Sequence, residues 1–332
     1  MVTTIRDVAR AAGVSPATVS RALSSPDMVN EVTRRRVKRV ALAMSYEPNR
    51  NARSLVTGRT GGIGIVVPDL ENPFFASICK GVQRRARALG YTAFIGDSDE
   101  DLSFEPEIVR SLIKQVDGVI LCSTRITDLE IRQLAEKTPL ILANRRLSGV
   151  PSVTFDYKAG LLMTIEHLVA LGHSRIAYAA GPLQSWVNGQ YARVFAEVAQ
   201  SEPAFDLIEL GNFSPNFLGG LRAADLAIAS HATAVVAYND FMALGVIDRL
   251  GQRGLSVPSD LSVTGFNDIA AAVSPNVTTV NYPGARMGHL CVDSLTDVIA
   301  GSESRQIEDC VLPVELVVRR STGEHTASAE FA

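Results

Sequence analysis

Apolar positions in the first 45 residues recur with helical spacing. Ile5, Val8, Ala9 and Ala12 fall at i, i+3, i+4 and i+7, on one helix face. Val19 and Leu23 define the inner face of a second helix, and Val37, Val40, Ala41 and Met44 that of a third. Boundary residues mark the ends. Thr4 and Asp7 fit a capping box at the first start, and Gly13 suits the left-handed turn that stops that helix. Ser15 and Asn30 are placed to cap the second and third helices, with Pro16 at the first position of the second.

From Gly61 the pattern changes. Apolar, β-branched runs predict strands at 63–67, 92–95, 118–121, 140–143, 152–155, 176–179, 207–209, 234–238 and 262–266. Helical patterns lie between most of them, at 75–89, 105–115, 129–135, 159–171, 189–199, 218–229, 241–253 and 285–300. Alternating βα units imply parallel sheets covered by helices on both faces. Nine strands over about 270 residues suit two such subdomains better than one sheet. The expected fold class is a small all-α helix-turn-helix head followed by an α/β core of two doubly wound parallel-sheet subdomains. Ligands of such sheets sit beyond the carboxyl ends of the strands, so two facing subdomains would place those ends across a cleft.

Between head and core, residues 49–56 have helix-forming composition but only about two turns of length, too short to be stable alone. They read either as a flexible linker with an incidental leucine or as a hinge that folds only on DNA, with Leu55 a wedge into the minor groove.

Charge sharpens the division. Residues 1–60 hold eleven Lys and Arg against four Asp and Glu, whereas the rest of the chain holds 21 against 31. A basic head on an acidic body suggests that the head alone meets a polyanion. On the second helix, Ala17, Thr18, Ser20 and Arg21 face outward, the arrangement of a DNA-reading helix.

Other chemistry finds little support. The N-terminus has no signal-peptide pattern, and no run of about 18 uncharged apolar residues suggests a membrane span. The expected location is the cytoplasm. Cys79, Cys122, Cys291 and Cys310 are far apart and read as reduced thiols. Gly61-Gly62-Ile63-Gly64 enters a strand instead of opening a helix, so it is not a dinucleotide loop. His167 and His173 are six apart, which is not metal-pair spacing. His173 follows Leu171-Gly172 and reads as a carbonyl-binding helix end. No GxSxG elbow occurs. No cofactor, no metal and no catalytic residue are expected.

Head, hinge and core in this order resemble the LacI family of bacterial repressors over about residues 4–320. The resemblance rests on Asp7 to Ser15 with Thr18-Val19-Ser20-Arg21, then Tyr46, Pro48-Asn49, Ala52-Arg53 and Leu55, then Asn72-Pro73-Phe74-Phe75. It continues through Asp117-Gly118-Val119-Ile120, Leu171-Gly172-His173, Asn239-Asp240 with Met242 to Gly245, and Val257-Pro258 followed by Gly265-Phe266. It implies a periplasmic-binding-protein type of core, with a head at 1–47, a hinge at 48–60 and a core at 61–320. The core would divide into about 61–157 with 284–311 and about 158–281 with 312–320, leaving a tail at 321–332.

The resemblance also implies function: a homodimer, or a dimer of dimers, on palindromic operator DNA, controlled by a small-molecule effector in the cleft. Thr4, Ser15, Pro16, Ala17, Thr18, Ser20, Arg21 and Asn30 would form the DNA face of the head, and Asn49, Ala52, Arg53 and Leu55 that of the hinge. Pro16 and Ala17 offer only apolar contact, for instance to a thymine methyl. Ser15, Thr18 and Ser20 suit phosphate positioning. The tail has no heptad leucines, which favours a dimer over a coiled-coil-linked tetramer.

Asn72, Phe74, Asn144, Arg145, Phe213, Asn239 and Asn267 align with the family's cleft wall. Many members carry an acidic residue where Asn144 and Asn267 fall, and an arginine where Tyr191 falls. Without that arginine the usual fork for a carboxylate or hydroxyl pair is missing, and Arg145 is its candidate replacement. The expected effector is a neutral, polar, ring-containing molecule such as a sugar or nucleoside. Competing functions are an effector-independent or protein-modulated repressor, a periplasmic-type sugar receptor and an α/β enzyme. The receptor predicts an export signal and no basic head. The enzyme predicts a nucleophile, metal or cofactor motif.

Overall fold

The computed structural model describes residues 3–24, 28–46, 59–201, 206–301 and 309–325. The expected hinge residues Asn49, Ala52, Arg53 and Leu55 lie outside them. The chain divides into two compact units, Met1–Gly61 and Gly62–Ala332.

The first unit is built from α1 (Ile5–Ala12), α2 (Pro16–Ser24) and α3 (Glu31–Ala43). The Asp7 carboxylate accepts from the Thr4 amide at 3.0 Å and the Thr4 hydroxyl at 2.6 Å. These bonds hold its pKa below the ordinary carboxylate value. Gly13, at φ 62°, ends α1, and the Val14 amide turns back to Ala9 O at 3.0 Å. Ser15 Oγ accepts from the Thr18 amide at 3.1 Å, and Asn30 Oδ1 from the Val32 amide at 2.8 Å. Val8, Ala9, Ala12, Val19, Ala22, Val37 and Ala41 form the buried core, with Leu23, Val40 and Met44 half-buried around it. Ala22 takes an inner place beside Val19 that its small side chain did not advertise.

The second unit begins with β1 (Gly62–Val67), α4 (Pro73–Ala88), β2 (Thr92–Asp97), α5 (Glu105–Leu112), β3 (Gly118–Cys122), α6 (Asp128–Ala135), β4 (Leu140–Ala143) and β5 (Ser152–Phe155). The chain then crosses to a second sheet. There follow α7 (Tyr157–Ala170), β6 (Arg175–Ala180), α8 (Trp186–Ser201), β7 (Asp206–Asn212), α9 (Phe217–Ala229), β8 (Ala234–Ala237), α10 (Asp240–Gln252), β9 (Ser262–Asn267), α11 (Ala270–Val273) and β10 (Thr278–Asn281). It returns through α12 (Gly284–Ile299) to β11 (Cys310–Leu312), and crosses a third time to β12 (Glu315–Val317).

The two sheets have the orders β11-β5-β4-β3-β1-β2 and β12-β10-β9-β8-β6-β7. All pairings are parallel except β10 with β12. All nine strands and eight helices expected from residue 61 onward are present, with ends shifted by up to three residues. The sequence pattern misses β10, β11, β12 and α11, which are three or four residues long and, unlike the equally short β4 and β8, are not buried throughout.

Apolar packing is continuous through the crossovers, from Ile63 and Phe74 past Phe155, Tyr157 and Tyr282 to Phe266. The helices α4 and α12 touch backbone to backbone. A Cβ on Gly81 would stand 2.1 Å from Ala285 O, and one on Gly288 2.2 Å from Ile78 O. Any side chain there would force the helices apart.

The expected tail starts later than residue 321. Ser321 is buried, its carbonyl accepts from the Val263 amide at 2.8 Å, and the His325 amide donates to Leu171 O at 2.8 Å. His173 belongs to this strap. Its Nε2 lies 3.1 Å from Gly323 O and 3.0 Å from Ser262 Oγ, and its ring stacks on His325. It therefore binds a carbonyl, but of the C-terminal strap and not of its own helix end. Burial lowers its pKa.

Candidate functional site

In the head, α2 turns Val19 and Ala22 inward and leaves Pro16, Ala17, Ser20 and Arg21 exposed. The Ser15 and Thr18 hydroxyls lie 2.9 Å apart and bond each other. Thr4 and Asn30 are exposed, with their side-chain oxygens engaged at the starts of α1 and α3. Basic residues collect on α3, where Arg34 and Arg35 bond Glu31 at 2.8 and 2.7 Å. Among the described residues the head therefore presents a short, polar, cationic helix face above a minimal apolar core.

In the core unit the carboxyl ends of both sheets face one cleft, and sequence position explains how each side chain reaches it. Asn72 follows β1 and caps α4, its Oδ1 accepting from the Phe74 amide at 3.0 Å. Asn239 follows β8 and caps α10, its Oδ1 accepting from the Met242 amide at 2.9 Å. Both residues thus open a helix directly after a strand, although β1 and β8 hold different places in their sheets. Ser123 after β3, Asn144 after β4 and Asn267 at the end of β9 have φ of 48°, 60° and 107°. Non-glycine residues seldom hold such values without cost. Here the left-handed turn aims each side chain into the cleft.

The cleft has two chambers. The inner one, about 30 Å³, is lined by Asn72, Phe74, Asn144, Tyr191, Asn239 and Asn267 from the expected set. Ser123, Arg125, Tyr157, Tyr238 and Tyr282 join them. These hydroxyls and amides bond one another. Tyr157 donates to Asn144 Oδ1, Asn144 Nδ2 donates to Ser123 Oγ at 2.6 Å, and Tyr238 lies 2.8 Å from Ser185 Oγ. Burial pushes the pKa of Tyr157, Tyr191, Tyr238 and Tyr282 upward, so all four stay neutral. Phe155 stacks on Tyr282 at 4.8 Å and 9°. Phe74 and Phe75 are both buried and pack on each other as well as on the chamber.

The outer chamber, about 640 Å³, opens toward the cleft mouth. Phe213 lies here and not on the floor. Arg125 lines both chambers and pairs with Glu100.

Arg145, expected on the cleft wall, lines neither chamber. Its Nη1 donates to Thr124 O and Ile126 O, both at 2.7 Å, and its Nη2 to Asp128 Oδ1 at 2.6 Å. Both Nη atoms are thus engaged in holding the loop after β3, while the buried Nε has no hydrogen-bond partner among the described residues. Sequence reasoning missed Arg125, Ser123, Tyr157, Tyr238 and Tyr282. The rule that strand carboxyl ends face the ligand would have found Ser123 and Tyr238, which directly follow β3 and β8, with Arg125 two residues beyond Ser123.

Comparison with known proteins fits this geometry. Residues 4–49 match the model of bacterial regulatory proteins, lacI family, and residues 165–322 that of the periplasmic binding protein-like domain. The chain is 32% identical to the HTH-type transcriptional repressor CytR of Escherichia coli (strain K12), over 96% of each chain.

The chain belongs to the lacI family.

Among solved structures of the family, it is similar to the lac repressor dimer bound to operator and the anti-inducer ONPF, with a TM-score of 0.85 and 26% identity. That match covers 97% of this chain and 100% of the repressor chain. It is also similar to a complex of the transcriptional regulator CelR with cellobiose, with a TM-score of 0.70, 28% identity and coverage of 96% and 99%. The relatives are regulators, not enzymes. Among the described residues, no helix of this lacI-family chain is long and apolar enough to cross a membrane.

Proposed function

We propose that this chain is a sequence-specific transcriptional repressor that acts in the cytoplasm as a homodimer on palindromic operator DNA and answers to a small uncharged effector. The observation that carries this reading is the exposed face of α2. Pro16, Ala17, Ser20 and Arg21 are exposed above a core that holds the helix in place, in a chain that also carries a two-subdomain cleft.

Each recognition helix enters one major groove, and the arginines of α2 and α3 supply a salt-dependent attraction to phosphate. Asn49, Ala52, Arg53 and Leu55 fold as a hinge helix on the operator, with paired Leu55 side chains opening its central step. The effector acts through its differential affinity for two cleft arrangements. A catalytic role is not part of this reading, because the cleft's tyrosines are held neutral by burial and its polar groups bond one another.

The experiment is a gel-shift titration of the full chain on DNA from upstream of its own gene and neighbouring genes. The reading expects a tight, salt-sensitive complex whose affinity shifts at least tenfold on addition of one member of a sugar and nucleoside panel. A complex unaffected by every small molecule would favour the effector-independent repressor. No complex at low salt would remove the DNA-binding reading.

A further inference from the structure

The two chambers differ in what they can hold. The inner volume of about 30 Å³ has room for no more than about two or three water molecules. Its polar groups already bond one another, including Tyr191 with Tyr282 at 2.8 Å and Asn239 Nδ2 with Pro215 O at 2.8 Å. A ligand entering here must break these bonds to make its own, and such exchanges yield little net free energy. The outer volume of about 640 Å³ falls within the range of about 300–1,000 Å³ that accommodates drug-sized molecules.

The outer walls are chemically unlike. One side carries the carboxylates of Asp69, Glu71, Asp99 and Glu100. The other carries Phe213, Phe217 and Phe241. Arg125 is at the junction with the inner chamber. Its side chain is 8% exposed and pairs with Glu100, and its Nε has no hydrogen-bond partner among the described residues. A buried donor left unpaired is costly, and an acceptor oxygen would relieve it. The loop that presents Arg125 is fastened from two sides. Glu105, itself buried, accepts from the Arg125 amide at 3.0 Å and from the Thr124 hydroxyl. Arg145 holds the carbonyls on either side, Thr124 O and Ile126 O.

Four carboxylates against one guanidinium disfavour an anion. Carboxylates accept from hydroxyls, the guanidinium donates to a ring or hydroxyl oxygen, and phenyl faces cover the C–H face of a ring. We infer that the effector seats in the outer chamber, that it is an uncharged polyhydroxylated molecule of at least two rings, and that Arg125 reads one of its acceptor oxygens. The floor around Asn144, Tyr191 and Asn267 is then a closed, hydrogen-bonded base and not the principal contact surface. This rests on the reading of the cleft as an effector site.

The test uses the full chain with glucose, ribose, maltose, cellobiose, lactose, maltotriose, adenosine, cellobionate and glucose 6-phosphate as probes. Binding is read by thermal shift and by the fluorescence of Trp186, the chain's single tryptophan, whose ring lies 5.8 Å from that of Tyr157. The inference expects the strongest binder to be an uncharged two- or three-ring sugar, at least tenfold tighter than any monosaccharide, with cellobionate weaker than cellobiose. With that binder, Asp99→Asn, Phe217→Ala and Arg125→Met each weaken affinity at least tenfold, and Asn144→Ala and Asn267→Ala less than threefold. Asp99 and Phe217 are exposed, so their variants keep the test valid if Arg125→Met fails to fold.

A monosaccharide, nucleoside or anion as strongest binder overturns the inference and leaves the effector reading standing. The reverse ranking of the variants does the same. Silence across the whole panel removes the effector reading, and this inference with it.

Discussion

The Tyr191 hydroxyl lies 2.8 Å from the Tyr282 hydroxyl and joins α8 to the chain where it leaves β10 for the other subdomain. Both rings are buried, and Tyr282 stacks on Phe155 at the first crossover. The cleft floor is thus fastened at two of the three connections that an opening motion must bend.

Removing one hydroxyl leaves its partner without that bond in a buried site. Tyr191→Phe should lose about 1–2 kcal/mol in urea unfolding. The double variant Tyr191→Phe, Tyr282→Phe should lose less than the sum of the single losses, because no hydroxyl is then left unpaired. Additive losses would show that the two groups do not bond.

Arg145 donates to two carbonyls and one carboxylate in the loop between β3 and α6. Arg145→Met leaves both carbonyls without that donor and should destabilise the core by about 2–4 kcal/mol. Arg145→Lys should recover only part, since an ammonium lacks the planar fork. Denaturant midpoints at constant m-value decide it. A neutral Arg145→Met would mean that the loop is held elsewhere.

Asp240 is fully buried, accepts from the Thr279 hydroxyl at 2.6 Å and the Ile269 amide at 2.8 Å, and has its pKa pushed up to about 7 by desolvation. The carboxyl thus binds a proton more tightly folded than unfolded. Its contribution to stability is fully present below about pH 4 and is lost as pH rises through about 7, a change on the order of a few kcal/mol. Melting temperature, corrected for the other titrating groups with Asp240→Asn, should show that falling limb in the native chain only. Identical pH profiles for the two proteins would contradict it.

Leu55 belongs to the expected hinge. Leu55→Ala should weaken operator binding at least tenfold while leaving ligand-induced thermal shifts unchanged. Equal loss of both would contradict a modular head and core.

Much of the fold was legible because it rests on periodicity. α1 to α3 and the helices of the core bury a face long enough to leave a pattern, and strands as short as β4 and β8 are legible as wholly buried apolar runs. The short strands β10, β11 and β12 leave none, because they are not wholly buried runs as the equally short β4 and β8 are. The cleft was legible where one side chain caps a helix directly after a strand, as with Asn72 and Asn239. It was not legible where two residues of the same type compete. Arg125 and Arg145 both follow strand ends, and only the positions of Glu105, Asp128 and the Thr124 carbonyl decide which faces the cleft. Those neighbours are 17 to 21 residues from Arg145 or 20 from Arg125, beyond the reach of local pattern. The Ser321–His325 strap escaped for a similar reason, because its partners Val263, Asn276 and Leu171 are distant in sequence.

The measurement that tests the central claim most directly is selection of binding sites by the full chain from a pool of random duplex DNA, repeated with Arg21→Ala. The account predicts enrichment of one palindromic sequence, a log–log salt slope of several units, and for Arg21→Ala a weaker complex with a shallower slope or a relaxed base preference. No enrichment over the starting pool, or an Arg21→Ala chain that selects the same site with the same affinity and slope, would contradict it.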